Sequence, residues 1–338
     1  MRAAPEHTTT DAPAEQSMQA VVQDRYGSAG VLRVEQIARP TAGADEVLLR
    51  VHAAGLDRGT WHLMEGKPYA VRLAIGIRRP RQPVQGKDVA GVVVAVGSAV
   101  TRFAVGDEVF GIGAGTFAGF AVAHQGKLAR KPAGLTFTQA AVVPVSGITA
   151  LRAVTDAGQV QPGQRVLILG ASGGVGSYAV QIAKALGAEV TGVCSGPKAD
   201  LVRDLGADHV IDYTREDFAD GRQRYDVIID IAGDPTLTRL RRALAPTGTA
   251  VLVGGEGGDR LTGMNRQLLA LVRAPFVRRR VVLLTPQERA THLDRLTGLI
   301  EAGQVTPRVD RTYPLAQAPE AMRQLEAGTV RGKIAITV

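Results

Sequence analysis

The chain has 338 residues, 45% of them apolar and 21% charged, with a formal charge of +8. Its single cysteine excludes a disulfide framework, a four-cysteine zinc lobe and an iron–sulfur cluster, and 4% aromatic residues are too few for a base-stacking surface. No apolar run approaches the roughly 18 residues of a membrane helix, so the composition reads as a globular, cytoplasmic chain long enough for two domains.

Met1 to Ser17 lacks an apolar signal-peptide core and reads as a disordered leader. From Met18 short β-branched strands follow one another: Ala20-Val21-Val22, Val47 to Val51, Ala90 to Val96, and a strand opened by the turn at Gly106-Asp107. They predict a small β-barrel-like domain to about Ala141. Beyond Pro144 the texture changes to strict alternation. Ser146 to Ala157 is a predicted helix, Arg165 to Leu169 a strand, Val175 to Leu186 a helix and Glu189 to Cys194 a strand. Ala199 to Leu205 follows as a helix, His209 to Tyr213 and Asp226 to Ile231 as strands, Leu237 to Leu244 as a helix and Thr249 to Val253 as a strand. A last parallel strand falls at Arg280 to Leu284, a helix at Gln287 to Ala302 and a terminal strand at Lys333 to Val338. Alternating apolar strands and helices predict a parallel sheet covered on both faces, hence an α/β fold. No internal repeat is visible.

Between the first parallel strand and its helix lies Gly170-Ala171-Ser172-Gly173-Gly174-Val175-Gly176. Gly173 lets the backbone approach a pyrophosphate, Gly176 lets the helix pack on the strand, and the helix N-terminus offers N–H groups to phosphates. Ala171 stands in place of the first glycine of the usual fingerprint. An NAD site carries an acidic residue at the end of the second strand. Here that end reads Ser195-Gly196-Pro197-Lys198, without a carboxylate. A hydroxyl and an ammonium suit a 2′-phosphate, with Tyr213 closing the same pocket, so NADPH is expected over NADH. The alternative is an ordinary polar loop with a surface lysine.

Several segments taken together resemble the zinc-independent quinone oxidoreductase branch of the medium-chain dehydrogenase/reductase superfamily. They are Ala53-Ala54-Gly55 leading into Trp61, Gly86-Lys87-Asp88-Val89-Ala90-Gly91, Gly106-Asp107-Glu108-Val109 and Val143-Pro144 to Thr149-Ala150. Ala171 to Gly176, Leu205 to Tyr213 and Arg331-Gly332-Lys333 complete the set. The resemblance implies a GroES-like β-barrel-type domain over 18–145 and 285–338, and a Rossmann domain with a doubly wound parallel sheet over 146–284. It implies cofactor contacts from Ala171, Ser172, Gly173, Gly174, Val175 and Gly176, and a 2′-phosphate held by Ser195, Lys198 and Tyr213. It also places Thr149, Gly233, Gly254 and Gly255 by the ribose and nicotinamide, brings Lys333 to the cofactor, and implies a homodimer through the Arg280 to Leu284 edge.

Zinc-using alcohol dehydrogenases of the same superfamily need three protein ligands. At the matching positions this chain has Asp57 for the first cysteine and Lys87-Asp88 for a histidine–glutamate pair, and Lys87 would repel a cation. No metal is expected. Without one, charge developing on a substrate oxygen needs hydrogen-bond donors or solvent. Candidate catalytic residues are Trp61, Tyr69, Lys87 and Asp88. For the first two the competing role is that of apolar walls, and for the second two a mutual ion pair. His62 is a candidate acid or a packing histidine, and water can supply the proton instead.

The basic excess concentrates at Arg72, Arg78, Arg79 and Arg81 and again at Arg273, Arg278, Arg279 and Arg280. It suits an anionic ligand, phosphate contacts to nucleic acid, or a solvated face. The resulting expectation is an NADPH-dependent reductase of a small-molecule quinone or α,β-unsaturated carbonyl, with no membrane and no nucleic-acid partner. Alternatives are an enoyl-thioester or other tailoring reductase, and an NADPH sensor or nucleic-acid binder without turnover.

Overall fold

The computed structural model describes residues 16–254 and 280–338. β1 (Ser17–Val22) pairs antiparallel with β2 (Arg33–Ala38), Ser17 facing Ala38. Ser17 thus belongs to a strand, not to the expected leader, and residues 1–15 lie outside the described residues. β2 escapes sequence pattern because none of its side chains is buried, leaving no apolar period to read.

β3 (Glu46–Leu56) runs well past the expected Val51. Register shifts against β4 (Asp88–Val96), between Leu48 and Leu49 and between Val51 and Ala53, bend it through Ala53-Ala54-Gly55. α1 (Arg58–Glu65) and α2 (Arg72–Ile75) precede β4, and β5 (Glu108–Ile112), β6 (Phe120–His124) and β7 (Leu128–Arg130) follow it. Next come α3 (Phe137–Ala141) and α4 (Pro144–Arg152), which widens into a π turn over Ala153–Ala157. A Cβ on Gly55 would lie 2.4 Å from the Ala141 carbonyl oxygen and 2.9 Å from Asp88 Cβ. That close approach seats the start of β4 beneath the α3–α4 junction.

The alternating half forms as the sequence predicts. β8 (Arg165–Leu169), α5 (Gly174–Ala185), β9 (Glu189–Cys194), α6 (Ala199–Asp204), β10 (His209–Asp212), β11 (Tyr225–Asp230), α7 (Leu237–Ala243), β12 (Leu244–Leu252) and β13 (Arg280–Leu283) follow in turn. Their strands make one parallel sheet in the order β10-β9-β8-β11-β12-β13. This doubly wound order opens a crevice at the carboxyl ends of the strands. Val166, Leu167 and Ile168 are fully buried, as a strand covered on both faces requires.

α8 (Ala290–Glu301) starts at Ala290 rather than Gln287, leaving 287–289 outside the helix. β14 (Val309–Pro314) and α9 (Ala318–Glu326) lead to β15 (Lys333–Thr337). β15 lies antiparallel to β3, Ala335 opposite Gly55, and parallel to β14. The end of the chain therefore closes the sheet of its beginning, in the order β14-β15-β3-β4-β5-β7 with β6 on β3. One buried cluster runs from Ala53, Ala90 and Phe110 through Ile148 and Leu151 of α4 to Ile168 and Val180. The two sheets share that core, where each fully buried aliphatic side chain contributes about 1.5–3 kcal/mol of transfer free energy. Among the described residues no helix is long and apolar enough to cross a membrane.

Candidate functional site

Where β8 ends, Gly170 takes φ +83°, a left-handed conformation that favours glycine. The N–H groups of Gly170 and Ala171 donate to the Val193 carbonyl of β9 at 3.1 and 3.0 Å. Ala171 is buried, and a Cβ on Gly192 would lie 3.0 Å from its methyl, so the space taken by Ala171 is matched by a glycine on β9. At Gly176 a Cβ would stand 2.1 Å from the Gly170 carbonyl oxygen, so the helix can approach the strand this closely only without a side chain. Gly173 differs. It precedes α5 with no side-chain cap, and a Cβ there would meet only the Gly170 oxygen, at 3.4 Å. The protein itself leaves that face open, as a cradle for a ligand would. Ser172 and Val175 complete the turn, and no acidic side chain stands in the first turn of α5 to oppose an anion.

Behind this turn lies a buried charge cluster. The Gly332 N–H donates to the Ser172 carbonyl at 3.0 Å, drawing the returning segment onto the turn. Lys333 Nζ donates to Ser146 Oγ at 3.0 Å and lies 3.5 Å from Asp88 Oδ2, and a Cβ on Gly174 would be 2.9 Å from Lys333 Cδ. Asp88 Oδ1 accepts the Val145 N–H at 2.9 Å. Complete burial pushes the Asp88 carboxyl up to about 7; Lys333 opposes the rise and Asp57 adds to it. Lys333 thus lies against the glycine turn while holding Asp88.

At the end of β9, Lys198 Nζ donates to the Gly328 and Val330 carbonyls at 2.7 and 2.8 Å. Burial holds this ammonium below its ordinary lysine value; Asp310 resists that shift, and the nearby Arg331 and Arg58 charges add to it. The loop is not free of carboxylates. Asp212, ending β10, accepts the Thr214 N–H and hydroxyl at 3.0 and 2.8 Å, and its Oδ2 lies 2.6 Å from where a Gly196 Cβ would be. The sequence concealed it because it arrives from the third strand. Tyr213 is 62% exposed beside it, its N–H donating to the Cys194 carbonyl at 3.2 Å. Ser195 is half-buried on the same loop.

Across the crevice, Thr149 is half-buried on α4, its hydroxyl donating to Val145 O at 2.7 Å. Gly233, at φ +109°, has open space where a side chain would be, and Gly254 approaches the Ile231 carbonyl. Gly255 lies outside the described residues.

On the barrel side Asp57 caps α1, its Oδ1 accepting the Thr60 N–H at 2.8 Å. Trp61 packs against the core cluster of Leu56 and Met64, with the His62 ring edge-on at 4.8 Å. Tyr69 is 42% exposed beneath the Arg72 guanidinium. Lys87 does not pair with Asp88. Its Nζ donates to Glu288 Oε1 at 2.7 Å, and Lys127 stands 3.9 Å from the other oxygen of that carboxylate. Sequence reasoning missed Glu288 because it falls inside a predicted helix, and Ser146 because nothing within the Val143 to Ala150 segment shows that Lys333 reaches it.

The basic loop is partly structural. Arg72 donates to the Gly66 carbonyl and packs on Tyr26 and Tyr69, and Arg81 donates to the Ala74 carbonyl, while Arg78 and Arg79 are exposed. Arg280 donates to Gln159 Oε1, and Arg273, Arg278 and Arg279 lie outside the described residues.

These residues fit a dinucleotide: an open glycine turn at a helix N-terminus, a lysine behind it, and hydroxyl and ammonium groups at the second-strand end. They do not fit a metal. The positions matched to zinc ligands hold Asp57, Lys87 and Asp88, and a protonated amine does not ligate a cation. No group of three or more His, Cys, Asp or Glu side chains suited to a metal occurs among the described residues.

Residues 43–151 match the family model of the alcohol dehydrogenase GroES-like domain, and residues 205–336 one described as zinc-binding dehydrogenase. The chain is 34% identical to a mitochondrial NAD(P)H oxidoreductase of Mus musculus, over 95% of this chain and 89% of that one. It is 31% identical to a chloroplast envelope quinone oxidoreductase homolog of Arabidopsis thaliana (94% and 98% covered). It is 32% identical to a 2-methylene-furan-3-one reductase of Solanum lycopersicum (99% and 83%). Among solved structures, the quinone oxidoreductase from Coxiella burnetii matches with a TM-score of 0.84 at 28% identity, covering 95% of this chain and 99% of that one. A mycobacterial protein complexed with NADPH matches with a TM-score of 0.80 at 28% identity, covering 95% and 100%.

Two substitutions separate a ligand-facing glycine from a packing one. Gly173→Ala should leave the melting temperature of the ligand-free protein nearly unchanged and weaken dinucleotide binding about tenfold or more in a fluorescence titration. Gly176→Ala should cost about 2 kcal/mol of stability in denaturant unfolding, because the methyl meets backbone. The Asp88 carboxyl has a second consequence. Its folded value, about 7, exceeds its ordinary 3.8, so its contribution to stability is full below pH 3.8 and is lost as pH rises to about 7. The stability of the wild type minus that of Asp88→Asn should therefore fall across that window and level off above it.

Proposed function

We propose that this chain, which belongs to the zinc-independent quinone oxidoreductase branch of the medium-chain dehydrogenase/reductase family, uses NADPH to reduce a quinone or the conjugated double bond of an α,β-unsaturated carbonyl. The observation that carries this function is the open glycine turn at the N-terminus of α5, backed by Lys333, which itself holds Asp88 beside Lys87 at the start of β4. When bound, the nicotinamide supplies the hydride. The residues of the chain bind and orient both partners. The N–H groups at the start of α5 receive the pyrophosphate, and Lys333 adds a positive charge behind them. Thr149, Gly233 and the turn at Gly254 border the ribose and nicotinamide. Trp61 and Tyr69 bound the substrate side, and Lys87 is the cation facing it.

NADPH is favoured over NADH by the Ser195–Lys198 loop. Two protons of Lys198 are held by carbonyls, leaving one for a phosphate oxygen, and Arg58 and Arg331 add positive charge nearby. The names of the relatives from Arabidopsis thaliana and Solanum lycopersicum support a quinone and an enone respectively, and that of the Mus musculus relative an NAD(P)H cofactor. We place the homodimer contact at β13, which borders the parallel sheet, and the protein in the cytoplasm.

Absorbance at 340 nm tests this function with an ortho-quinone, a para-quinone, a cyclic enone, a 2-alkenal and a saturated aldehyde. Turnover of quinones or enones with NADPH, and little with NADH or with the saturated aldehyde, is the expected result. Lys198→Ala should raise the Kd for NADPH about tenfold and change that for NADH less than about twofold. Equal losses for the two cofactors would sink the 2′-phosphate assignment.

A further inference from the structure

The charge pair between Lys87 and Glu288 joins the start of β4, next to the Asp88–Lys333 pair behind the glycine turn, to the connection between β13 and α8. Lys87 immediately precedes β4, and its carbonyl accepts the Gly113 N–H at 2.8 Å, so its backbone is fixed by the barrel sheet. Glu288 lies in the short connection between β13 and α8. That connection is itself anchored where the Arg152 guanidinium donates to the Thr285 carbonyl. It leaves the carboxyl ends of the parallel strands, where ligands of doubly wound sheets bind. The side chain of Lys87 is 35% exposed and that of Glu288 20%, so the pair is partly open to solvent and within reach of a ligand. Glu288 takes one of the three ammonium protons, and two donors remain. Burial works against the charge on Lys87, but Glu288, Asp57 and Asp88 outweigh it and hold the ammonium above its ordinary value. Lys127 faces the second oxygen of Glu288.

We propose that Glu288 is a positioning residue that holds the Lys87 ammonium over the crevice as the hydrogen-bond donor to the oxyanion formed on the substrate. This rests on the reductase function above and names the group that receives its developing charge. In an enone the hydride forms a new C–H bond at the β-carbon, the π electrons move to the carbonyl oxygen, and that oxygen becomes an enolate. In a quinone the same two electrons leave a hydroquinone monoanion. In both cases the anion accepts a hydrogen bond from Lys87, and water supplies the final proton. A fixed cation at this oxygen acts more strongly in the transition state than in the neutral ground state, so it lowers the barrier rather than only tightening binding.

Two readouts test the proposal, one without turnover. 4-Nitrophenol serves as an oxyanion probe whose ionised form absorbs near 400 nm. Bound to the wild-type protein it should titrate about one pH unit or more below its free value. In Lys87→Met this shift should vanish, in Lys87→Arg it should persist, and in Glu288→Gln it should shrink. In the hydride assay Lys87→Met should lower kcat about 30-fold or more with NADPH affinity within about twofold of wild type. Glu288→Gln should move the alkaline limb of the kcat profile about one unit toward lower pH, because the lysine loses its counter-charge; a merely structural bridge would not move it. Identical probe titration in wild type and Lys87→Met, or no binding of the phenolate, overturns the proposal. A lysine-dependent probe shift without NADPH oxidation by any quinone or enone would instead overturn the reductase function and leave the anion site standing.

Discussion

Lys333, Asp88 and Ser146 meet in a space almost closed to water, and each comes from a different part of the chain: the returning strand β15, the first residue of β4 and the first turn of α4. A charge removed from water is tolerated only with a partner and hydrogen bonds, and here the amine has a carboxylate and a hydroxyl while the carboxylate also accepts a backbone N–H. The cluster joins the end of the chain to the start of β4 and to α4. It lies directly behind Gly174, so the lysine that neutralises Asp88 also stands at the positive end of α5. Removing either partner would leave the other buried and unpaired.

The crevice in front of that cluster has three kinds of surface, each set by local constraint. The glycine turn is open at Gly173 and tightly packed at Gly176, which separates an open face from helix–strand contact within four residues. The end of β9 is rich in positive charge, with Lys198 near Arg331 and Arg58, yet Asp212 stands beside it, locked by Thr214 and Gly196. The barrel wall carries an ammonium where zinc-using dehydrogenases carry a metal ligand. A fixed cation of this kind needs its own counter-charge, and Glu288 supplies it from the connection between β13 and α8. Catalysis by such a site is mainly positioning and electrostatic stabilisation, with the hydride chemistry belonging to the cofactor.

Much of the fold was legible because the parallel half obeys simple rules. β8 and β9 begin and end where apolar runs do, and the glycine turn lies between strand and helix as its mechanism requires. Local pattern failed where a strand has no buried face, as in β2, or where bulges carry a strand through small residues, as in β3. The site was legible only in its contiguous parts. Lys87 and Asp88 are neighbours in sequence, and a mutual pair was a natural expectation. A strand turns consecutive side chains to opposite faces, and each residue found a partner 201 or 245 positions away, Glu288 and Lys333. Asp212 and Ser146 lie inside segments that carry the resemblance and Glu288 inside a predicted helix, but none shows its contacts locally, because those come from what the fold brings beside them.

The account stands most directly on where the dinucleotide sits, which a crystal structure of the chain with NADPH would show. Pyrophosphate oxygens within hydrogen-bond distance of the N–H groups of Gly174 to Gly176, with the 2′-phosphate against Ser195 and Lys198, is the predicted result. A dinucleotide bound away from the N-terminus of α5, or a 2′-phosphate turned out to solvent, would contradict it.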